Sequence, residues 1–399
     1  MGENEYSRGI QFDHALVCAS YFPMSSELVD LQEKIRKISN EFAIAGNFVE
    51  GSEIDSGHIN ITYMAVYEEP NGQRSRYILQ RINDYVFKDP LQVMHNVECV
   101  TRHINQKVLR NKEDLGGQTL HIYPSREGSS HVRGEEGGIW RCYNFIENCR
   151  TYDVVENTRQ AYQSAKAFGS FQDLVSDIPP ESVTETIPDF HHTPKRYARL
   201  IEVVEADSKN RVQIVESEIS FVRAREKLCN ILVDLANNGE LPIRVTHNDT
   251  KLNNVMMDAD TDEAVCVLDL DTVMPGLSLY DFGDLVRTAT SPTEEDETDL
   301  SKIEMRMPMF EALTEGYLDG CACLTPLEVE YLVTGGKLMT LEVGIRFLTD
   351  YLEGDVYFKT EYEDHNLVRA RNQFRLLECI EEKESEMKKF VSRVAKAKY

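Results

Sequence analysis

Short runs of alternating apolar and polar residues in the first third of the chain predict a set of paired strands. Residues 47–49, 59–67 and 77–82 form such runs, and a turn-forming sequence at 68–72 joins the last two as a hairpin. Before them, apolar residues at helical spacing predict a helix over 27–43. This part of the chain is therefore expected to combine a helix with short strands.

The pattern changes after residues 139–147, which alternate like an edge strand that leads into a connection. Beyond them, apolar residues recur at helical spacing within 161–175, 228–235, 326–352 and 366–399. The remainder of the chain is therefore expected to be mainly helical.

Composition narrows the possible partners. The chain has 399 residues, of which 41% are hydrophobic, so it can form a large core and is long enough for two lobes. It carries 43 Lys and Arg against 68 Asp and Glu, a formal net charge of −25. Such an acidic surface disfavours binding to nucleic acid and to anionic membranes.

Cysteine spacing and the N-terminal sequence point to a reducing compartment. The nine cysteines include no C-x-x-C pair, which argues against a disulfide framework and against a zinc cluster, including at Cys321 and Cys323. The first residues lack the layout of a signal peptide, and no apolar run reaches membrane-spanning length. We therefore expect a cytoplasmic protein.

The segment 245–284 carries the strongest chemical signal. His247, Asp249 and Asn254 follow the pattern H-x-D-x4-N, and an apolar run then ends at Asp269. Phosphoryl transfer needs a carboxylate to orient or deprotonate the attacking hydroxyl, and oxygen ligands for Mg²⁺. Asp249 fits the first role, and Asn254 and Asp269 fit the second. Lys251 is placed to act on the transferred phosphoryl group as a point charge. His247, the first residue of the motif, is counted with Asp249 and Lys251 as a catalytic candidate.

A second acidic motif, Asp281-Phe282-Gly283, spells the metal-binding letters of protein kinases but follows Asn254 by twenty-seven residues. Asp269 follows it by fifteen residues, so we assign the metal to Asp269. Asp281 is expected to accept backbone N–H groups of the 247–254 segment, which is a structural role. Asp271 would share a face with Asp269 if the strand continued, which would make it a spare metal-ligand candidate.

Seven segments carry a resemblance to a known family: HNDTKLNN, VLDLDTVMPG, LYDFGD, YILQRIN, NFIE, TIPDFHHTPKRY and IRFLTDYLEGDVYF. They resemble the aminoglycoside phosphotransferase and choline kinase superfamily, and within it they are most similar to N-acetylhexosamine 1-kinases. The resemblance implies an α+β, bilobal protein-kinase-like fold that uses ATP and Mg²⁺. It implies a nucleotide-binding lobe with a small antiparallel sheet at 1–147, and a larger, mainly helical catalytic and acceptor-binding lobe at 148–399.

In a kinase-like first lobe, a hairpin covers the ATP phosphates with backbone N–H groups. Residues 55–60 occupy that place, which makes Gly57, His58 and Asn60 nucleotide contacts by resemblance. Only one glycine of the usual glycine-rich pattern is present, and a plain turn is an equally good interpretation.

Two further nucleotide contacts follow from the resemblance. The third strand should carry a phosphate-holding lysine, but Gln80 stands there, and Arg81 would have to turn inward to supply charge. In the family, the connection between lobes hydrogen-bonds adenine, which assigns Phe145, Ile146 and Glu147 to adenine.

Acceptor contacts are expected in the second lobe. By resemblance, His191 and Arg346 are candidates, with Asp271 as a further polar residue. For His191 the alternative is a structural role. For Arg346 the alternative is a solvated helical ion-pair series with Glu342 and Asp350.

Three functional hypotheses remain at this point. The first is a kinase that phosphorylates the anomeric hydroxyl of an N-acetylhexosamine, with a small-molecule sugar as partner. The second keeps the chemistry but has an amino alcohol, another sugar or an aminoglycoside as acceptor, and an acidic pocket would favour it. The third is a catalytically silent kinase-like scaffold. Sequence alone does not indicate the oligomeric state.

Overall fold

The computed structural model describes residues 26–54, 59–111 and 119–398, and the chain within it divides into two compact units. The first unit comprises Met1–Arg150, Ser182–Thr186 and Asp258–Asp260. The second comprises Thr151–Glu181, Ile187–Met257 and Thr261–Tyr399. The functional division into lobes at 1–147 and 148–399 stays a prediction.

The first unit contains two helices and six strands in its described residues. The helices are α1 (Ser26–Ser39) and α2 (Pro90–Asn111). The strands are β1 (Asn47–Glu53), β2 (Ile61–Glu68), β3 (Arg74–Arg81), β4 (Val132–Arg133), β5 (Ile139–Asn144) and β6 (Cys149–Arg150).

Five of these strands form an antiparallel sheet in the order β1-β2-β3-β5-β4. The hairpin expected between β2 and β3 is present, with Tyr63 opposite Leu79. The prediction of an edge strand at 139–147 is wrong, because β5 lies between β3 and β4. The apolar and polar pattern of β5 does not reveal its second neighbour, because β4 is a strand of only two residues.

The two faces of the sheet have different chemistry because side chains alternate along each strand. On one face, Tyr63, Leu79 and Cys142 are buried in a cluster with Ile35 and Ile38 of α1. The opposite face carries a polar row across β2, β3 and β5, in which Thr62 pairs with Gln80 and Gln80 pairs with Arg141.

The second unit is mainly helical, as predicted. Its helices are α3 (Thr158–Leu174), α4 (Thr193–Ala206), α5 (Glu216–Arg223), α6 (Glu226–Asn237), α7 (Ser278–Ala289), α8 (Met307–Gly320), α9 (Pro326–Glu353) and α10 (His365–Lys398). Its short strands are β7 (Arg244–Thr246), β8 (Val255–Asp258), β9 (Ala264–Val267) and β10 (Met274–Gly276). No helix in the described ranges combines the length and the apolar character needed to cross a bilayer.

Helix α9 is the central element of this unit. It starts at a capping box in which Thr325 and Glu328 each hydrogen-bond the backbone of the other, and it ends at Gly354 in the left-handed conformation. Where α9 meets α7, a Cβ placed on Gly283 would lie 2.4 Å from the carbonyl oxygen of Gly335. Glycine at this crossing therefore lets α7 lie close to α9, and α7 carries Asp281.

Two small strand pairs hold the loops that α7 supports. β7 pairs with β10, with Thr246 opposite Met274. β8 pairs with β9, with Val255 opposite Val267. The segment between β7 and β8 contains the H-x-D-x4-N motif.

Candidate active site

The loop from His247 to Asn254 is held in place by acidic side chains of α7. The Asp281 carboxylate accepts the backbone N–H groups of His247 at 2.9 Å and Asn248 at 2.7 Å. Asp284 accepts the backbone N–H of Thr250 at 3.0 Å. These bonds place Asp281 as the sequence suggested, against the loop backbone. Its contribution to catalysis stays a prediction.

His247 is fully buried and connects this loop to the end of β9. Its ring Nε2 lies 2.8 Å from the Leu268 carbonyl oxygen, and its Nδ1 lies 3.3 Å from the backbone N–H of Asp249. Its ring packs edge-on against Phe168 and Phe171. With both nitrogens bonded to backbone groups, His247 has the geometry of a positioning residue, and its predicted catalytic role stays a prediction.

Asp249 is the half-buried carboxylate of the loop. Its Oδ1 lies 3.1 Å from Lys251 Nζ, and its Oδ2 accepts a hydrogen bond from Asn254 Nδ2 at 3.1 Å. Burial alone would raise the pKa of Asp249, but Lys251, His247 and Asn254 together hold the pKa below its usual value. Asp249 is therefore ionised at neutral pH, which is the state a proton acceptor needs.

Asn254 and Asp269 are brought together by the pairing of β8 with β9. Asn254 immediately precedes β8, and its carbonyl oxygen accepts the backbone N–H of Leu268 at 2.8 Å. Asp269, the next residue, is exposed and adopts a left-handed conformation with φ of 54°. Non-glycine residues rarely adopt this conformation, and such strain is often found at functional positions. The oxygen donors of the two side chains suit a Mg²⁺ ion.

The expectation that Asp271 shares a strand face with Asp269 is wrong. The strand ends at Val267, and Leu270–Thr272 form a single 3₁₀ turn in which Asp271 is buried. The turn is held to the 247–254 loop by Thr272, whose hydroxyl donates to the His247 carbonyl oxygen. A role of Asp271 in substrate binding has no support from this geometry.

His191 lies directly beside the 247–254 loop. Its Nε2 is 3.1 Å from the Asn248 carbonyl oxygen, and its Nδ1 is 2.8 Å from Glu342 Oε1. The other carboxylate oxygen of Glu342 accepts the Thr193 hydroxyl at 2.6 Å. Neither ring nitrogen of His191 is left for a substrate, so the geometry supports the structural alternative over the predicted substrate contact.

Two guanidinium groups lie next to His191, and we call them, with the rings around them, the arginine cluster: Arg196, Arg346, Phe190, Tyr357 and Phe358. Arg346 stands over the rings of Phe190, Phe358 and Tyr357 at 5.2, 5.5 and 6.0 Å. Arg196 donates to the Phe190 carbonyl oxygen, and its buried Nε has no hydrogen-bond partner within the described part of the chain. Burial and the neighbouring Arg346 lower the pKa of Arg196. Both guanidinium groups act on the buried Glu342 carboxylate as well as on each other, and Arg346 helps to lower the pKa of Glu342.

The alternative of a solvated ion-pair series on α9 is wrong. Glu342 and Asp350 are both buried, at 0% and 2% exposure. Asp350 accepts the backbone N–H groups of residues 356–358, which places Tyr357 and Phe358 beside Arg346. Sequence reasoning placed Arg196 beside His191 at the start of α4 but did not link it to Arg346, because their electrostatic interaction joins α4 to α9.

In the first unit, Gln80 holds a buried arginine that sequence reasoning also missed. Gln80 Oε1 accepts hydrogen bonds from Arg141 Nε at 3.1 Å and Arg141 Nη2 at 2.8 Å, while Gln80 Nε2 donates to the Thr62 hydroxyl. Arg141 is 1% exposed. Arg81 does not turn inward, since it lies on the opposite face of β3 and its Nη2 contacts Asp84.

Of the three nucleotide contacts predicted in residues 55–60, the structure describes one. Gly57 and His58 lie outside the described residues. Asn60 accepts the backbone N–H of Asn83 through its side chain.

The predicted adenine contacts belong to the segment that follows β5. The backbone N–H of Phe145 donates to the Arg76 carbonyl oxygen, Ile146 is buried, and Glu147 pairs with the Arg76 guanidinium. The Phe145 N–H is thus already engaged. The assignment of this segment to adenine stays a prediction.

Comparison with known proteins gives one family. A family model described as the phosphotransferase enzyme family (APH) matches residues 50–301, more than half of the chain.

Comparison with solved structures gives several similar folds. A microcompartment-associated aminopropanol kinase is 16% identical over 88% of this chain and 97% of its own, with a TM-score of 0.57. An aminoglycoside phosphotransferase from Alicyclobacillus acidocaldarius is 11% identical over 95% and 97%, with a TM-score of 0.56. An amicoumacin kinase in complex with AMP-PNP, Ca²⁺ and Ami is 16% identical over 90% and 94%, with a TM-score of 0.54. The predicted α+β kinase-like fold is confirmed.

Proposed function

The chain belongs to the phosphotransferase enzyme family, and from this premise we propose that it is an ATP-dependent kinase of a sugar, with the anomeric hydroxyl of an N-acetylhexosamine as acceptor. Family membership makes it a phosphotransferase of small-molecule hydroxyls. ATP, Mg²⁺ and the sugar acceptor are the parts that the proposal adds.

The observation that carries the proposal is the environment of Asp249. The ionised Asp249 carboxylate lies within hydrogen-bonding distance of both the Lys251 ammonium group and the Asn254 amide, on a loop whose backbone is fixed by buried acids. A solvated surface loop would have no need of such bracing. The arrangement supports phosphoryl transfer, in which a carboxylate and fixed positive charge act on a developing oxyanion.

The reaction follows from these positions. Asp249 accepts the proton of the acceptor hydroxyl, and the acceptor oxygen forms a bond with the γ-phosphorus of ATP as the bond from that phosphorus to the β-phosphate oxygen breaks. ADP is the leaving group, and the proton on Asp249 passes to solvent after the product departs. Lys251 stabilises the negative charge on the transferred group.

Asn254 and Asp269 are the residues that would hold Mg²⁺. The bound ion would neutralise phosphate charge and orient the nucleotide. Asn254 also donates to Asp249, so one side chain links the metal ligands to the proton acceptor.

We assign the charge that the third strand lacks to Arg141. Its guanidinium lies beside Gln80, which occupies the position of the phosphate-holding lysine, and Gln80 Oε1 fixes its orientation through two hydrogen bonds. Nε and Nη2 are already engaged by Gln80 and Arg141 is 1% exposed, so Arg141 would act on the phosphates as a nearby positive charge and not through direct hydrogen bonds. Gln80 is then a positioning residue for Arg141.

The arginine cluster supports a neutral or anionic acceptor over a cationic one. Arg196 and Arg346 lie close enough for Arg346 to lower the pKa of Arg196, and the Glu342 carboxylate offsets part of their positive charge. Guanidinium N–H groups donate to hydroxyl and acetamido oxygens, and aromatic rings pack against sugar faces. The amino alcohol and aminoglycoside alternatives called for an acidic pocket, whereas the cluster beside His191 presents two guanidinium groups next to one buried carboxylate, Glu342.

The test is an ATP-consumption screen over N-acetylglucosamine, N-acetylgalactosamine, neutral hexoses, choline, aminopropanol and aminoglycosides, with Asp249→Asn as control. We expect turnover with N-acetylhexosamines and a product whose phosphate is coupled to the anomeric proton in NMR spectra. Turnover confined to amino alcohols or aminoglycosides would overturn the sugar assignment. No turnover with any acceptor would favour the silent scaffold.

A further inference from the structure

The second unit contains a group of metal-ligating side chains that the proposed phosphoryl transfer does not use. Asp173, at the end of α3, lies beside Cys321 and Cys323, which follow α8. One ligand atom from each residue lies within 4.8 Å of the other two. The two Sγ atoms are 3.3 Å apart. We propose that these three side chains form a zinc-binding site.

The geometry suits a single ion. Two thiolates bound to one tetrahedral Zn²⁺ at about 2.3 Å lie about 3.8 Å from each other, so the cysteines need to separate by only about 0.5 Å. The carboxylate is fixed by the backbone N–H of Ala322, which donates to Asp173 Oδ1 at 3.0 Å. Asp173 therefore approaches the turn between the cysteines, and three ligands would leave a fourth position for water or another oxygen.

The donor set selects the metal. Two thiols disfavour Mg²⁺ and Ca²⁺, which take oxygen ligands, while the carboxylate disfavours Cu⁺. Zn²⁺ accepts sulfur and carboxylate ligands together. The site is thus chemically distinct from the Asn254 and Asp269 pair.

Neighbouring residues contact the turn at Cys323 and fix its position. Arg244 donates through Nη2 to the Cys323 carbonyl oxygen at 2.8 Å, and Glu328 holds the same guanidinium. Gln172 contacts Cys323 through its carbonyl oxygen, 3.9 Å from Sγ. The side-chain oxygen of Gln172 is buried without a donor among the described residues.

The site is linked to the 247–254 loop through β7. Arg244 is the first residue of β7, and Gln172 Nε2 donates to the Val245 carbonyl oxygen at 3.1 Å. His247 follows this strand directly. A bound Zn²⁺ would therefore stabilise the strand from which the loop begins, and we infer a structural role for the metal.

Cysteine spacing alone argued against a zinc cluster because the cysteines form no C-x-x-C pair. The third ligand comes from α3, and this contact depends on how α3 and α8 pack. The inference does not rest on the proposed kinase activity.

The full-length protein should be purified under reducing conditions, stripped with a chelator, and titrated with Zn²⁺ against a chromophoric chelator, with Co²⁺ as a spectroscopic probe. We expect about one Zn²⁺ per chain, a thiolate-to-Co²⁺ charge-transfer band, and a Tm raised by several degrees on Zn²⁺ addition. Cys323→Ser and Asp173→Asn should each weaken Zn²⁺ binding by at least about tenfold, since even outer-sphere changes have effects of that size. Cys323→Ser should also weaken the charge-transfer band.

Cys99→Ser is the matched control, because Cys99 is also a half-buried thiol but lies on α2. It should bind Zn²⁺ like the wild type. Absence of stoichiometric binding by the reduced wild-type protein would overturn the proposal, as would unchanged affinity in both Cys323→Ser and Asp173→Asn. Circular dichroism of each variant distinguishes loss of the site from loss of the fold.

Discussion

The 247–254 loop and the arginine cluster are neighbours whose functional side chains differ in chemistry. Around the loop, Asp249 and Asp269 present carboxylates, and the cluster presents the guanidinium groups of Arg196 and Arg346. Asn248 joins the two regions, because its N–H donates to Asp281 and its carbonyl oxygen contacts His191. The difference indicates a division of labour in which the loop binds the metal and accepts a proton, and the cluster selects an acceptor that is not cationic.

The largest loss of activity is expected from substitution of Asp269, the exposed carboxylate beside the 247–254 loop. Asp269→Ala removes a metal ligand, and we expect kcat/KM to fall by at least about 10³-fold, since metal stabilisation of phosphoryl transfer amounts to several kcal/mol. Mg²⁺-dependent nucleotide binding, measured by calorimetry, should be lost as well.

Asp281→Ala is the comparison for this variant. It leaves two buried N–H groups without an acceptor, so it should lower the free energy of unfolding by about 2 to 4 kcal/mol, with a smaller effect on nucleotide binding. Equal and mild effects of both substitutions on activity would show that the metal is assigned to the wrong residue.

Removal of the Arg346 charge tests whether the arginine cluster contacts the acceptor. Arg346→Met should raise KM for a neutral sugar so that kcat/KM falls by about 10- to 100-fold, the usual value of a charged hydrogen bond, with little change in KM for ATP. Steady-state kinetics with each substrate varied in turn measures both constants.

Lys195→Met is the matched control, since Lys195 is an exposed cation near Arg196 that pairs with Asp189. It should behave like the wild type. If Arg346→Met leaves the acceptor KM unchanged, the cluster does not contact the acceptor.

The positive charge proposed for Arg141 in the first unit predicts a smaller effect. Arg141→Met should raise KM for ATP by about tenfold without altering acceptor KM, because it removes a buried positive charge that acts on the phosphates. Arg133→Met, which changes an exposed arginine on β4, is the control. A wild-type KM for ATP in Arg141→Met would show that Arg141 contributes only to the fold and does not act on the ATP phosphates.

The smallest expected effect concerns the pH dependence of stability at Glu342. Burial opposes ionisation, but His191, Arg346 and Thr193 together lower the pKa of Glu342 below its ordinary value of 4.5. The stability from this group is thus present above about pH 4.5 and is lost as pH falls through the lower folded pKa. Each tenfold increase in the acid dissociation constant of Glu342 on folding corresponds to about 1.4 kcal/mol of stability.

Chemical denaturation of Glu342→Gln at a series of pH values measures this contribution. The variant should be less stable at neutral pH and should lose less stability than the wild type on acidification. Glu330→Gln, at an exposed position of the same helix, should keep the wild-type profile. If the free energy of unfolding of Glu342→Gln depends on pH as that of the wild type does, Glu342 does not carry the negative charge assigned to it in the folded protein.

Features that depend on near neighbours in sequence were predictable. The H-x-D-x4-N motif, the hairpin of β2 and β3 and the helices of the second unit follow from local spacing. Features that depend on packing were not. Arg141 is a candidate for the missing charge of the third strand only because the strand register places it opposite Gln80. The interaction of Arg196 with Arg346 depends on the packing of α4 against α9.

Two errors have the same origin. The strand leading to Asp269 was extended through Asp271 because both residues share its alternation, but a left-handed residue ended the strand at that point. The alternation of residues 139–147 ahead of a connection predicts an edge strand, but pairing with the two-residue strand β4 places β5 inside the sheet. In both cases the hydrogen-bond partners, which sequence patterns do not specify, decided the outcome.

The most direct test of the proposed reaction is the phosphorylated product of the wild type and of Asp249→Asn, followed by ³¹P NMR with ATP, Mg²⁺ and N-acetylglucosamine. We expect an anomeric sugar phosphate from the wild type, and at least about a 10²-fold slower reaction from Asp249→Asn with nucleotide binding retained. Equal rates for the two proteins, or phosphate transfer to a cationic acceptor alone, would contradict the proposed reaction.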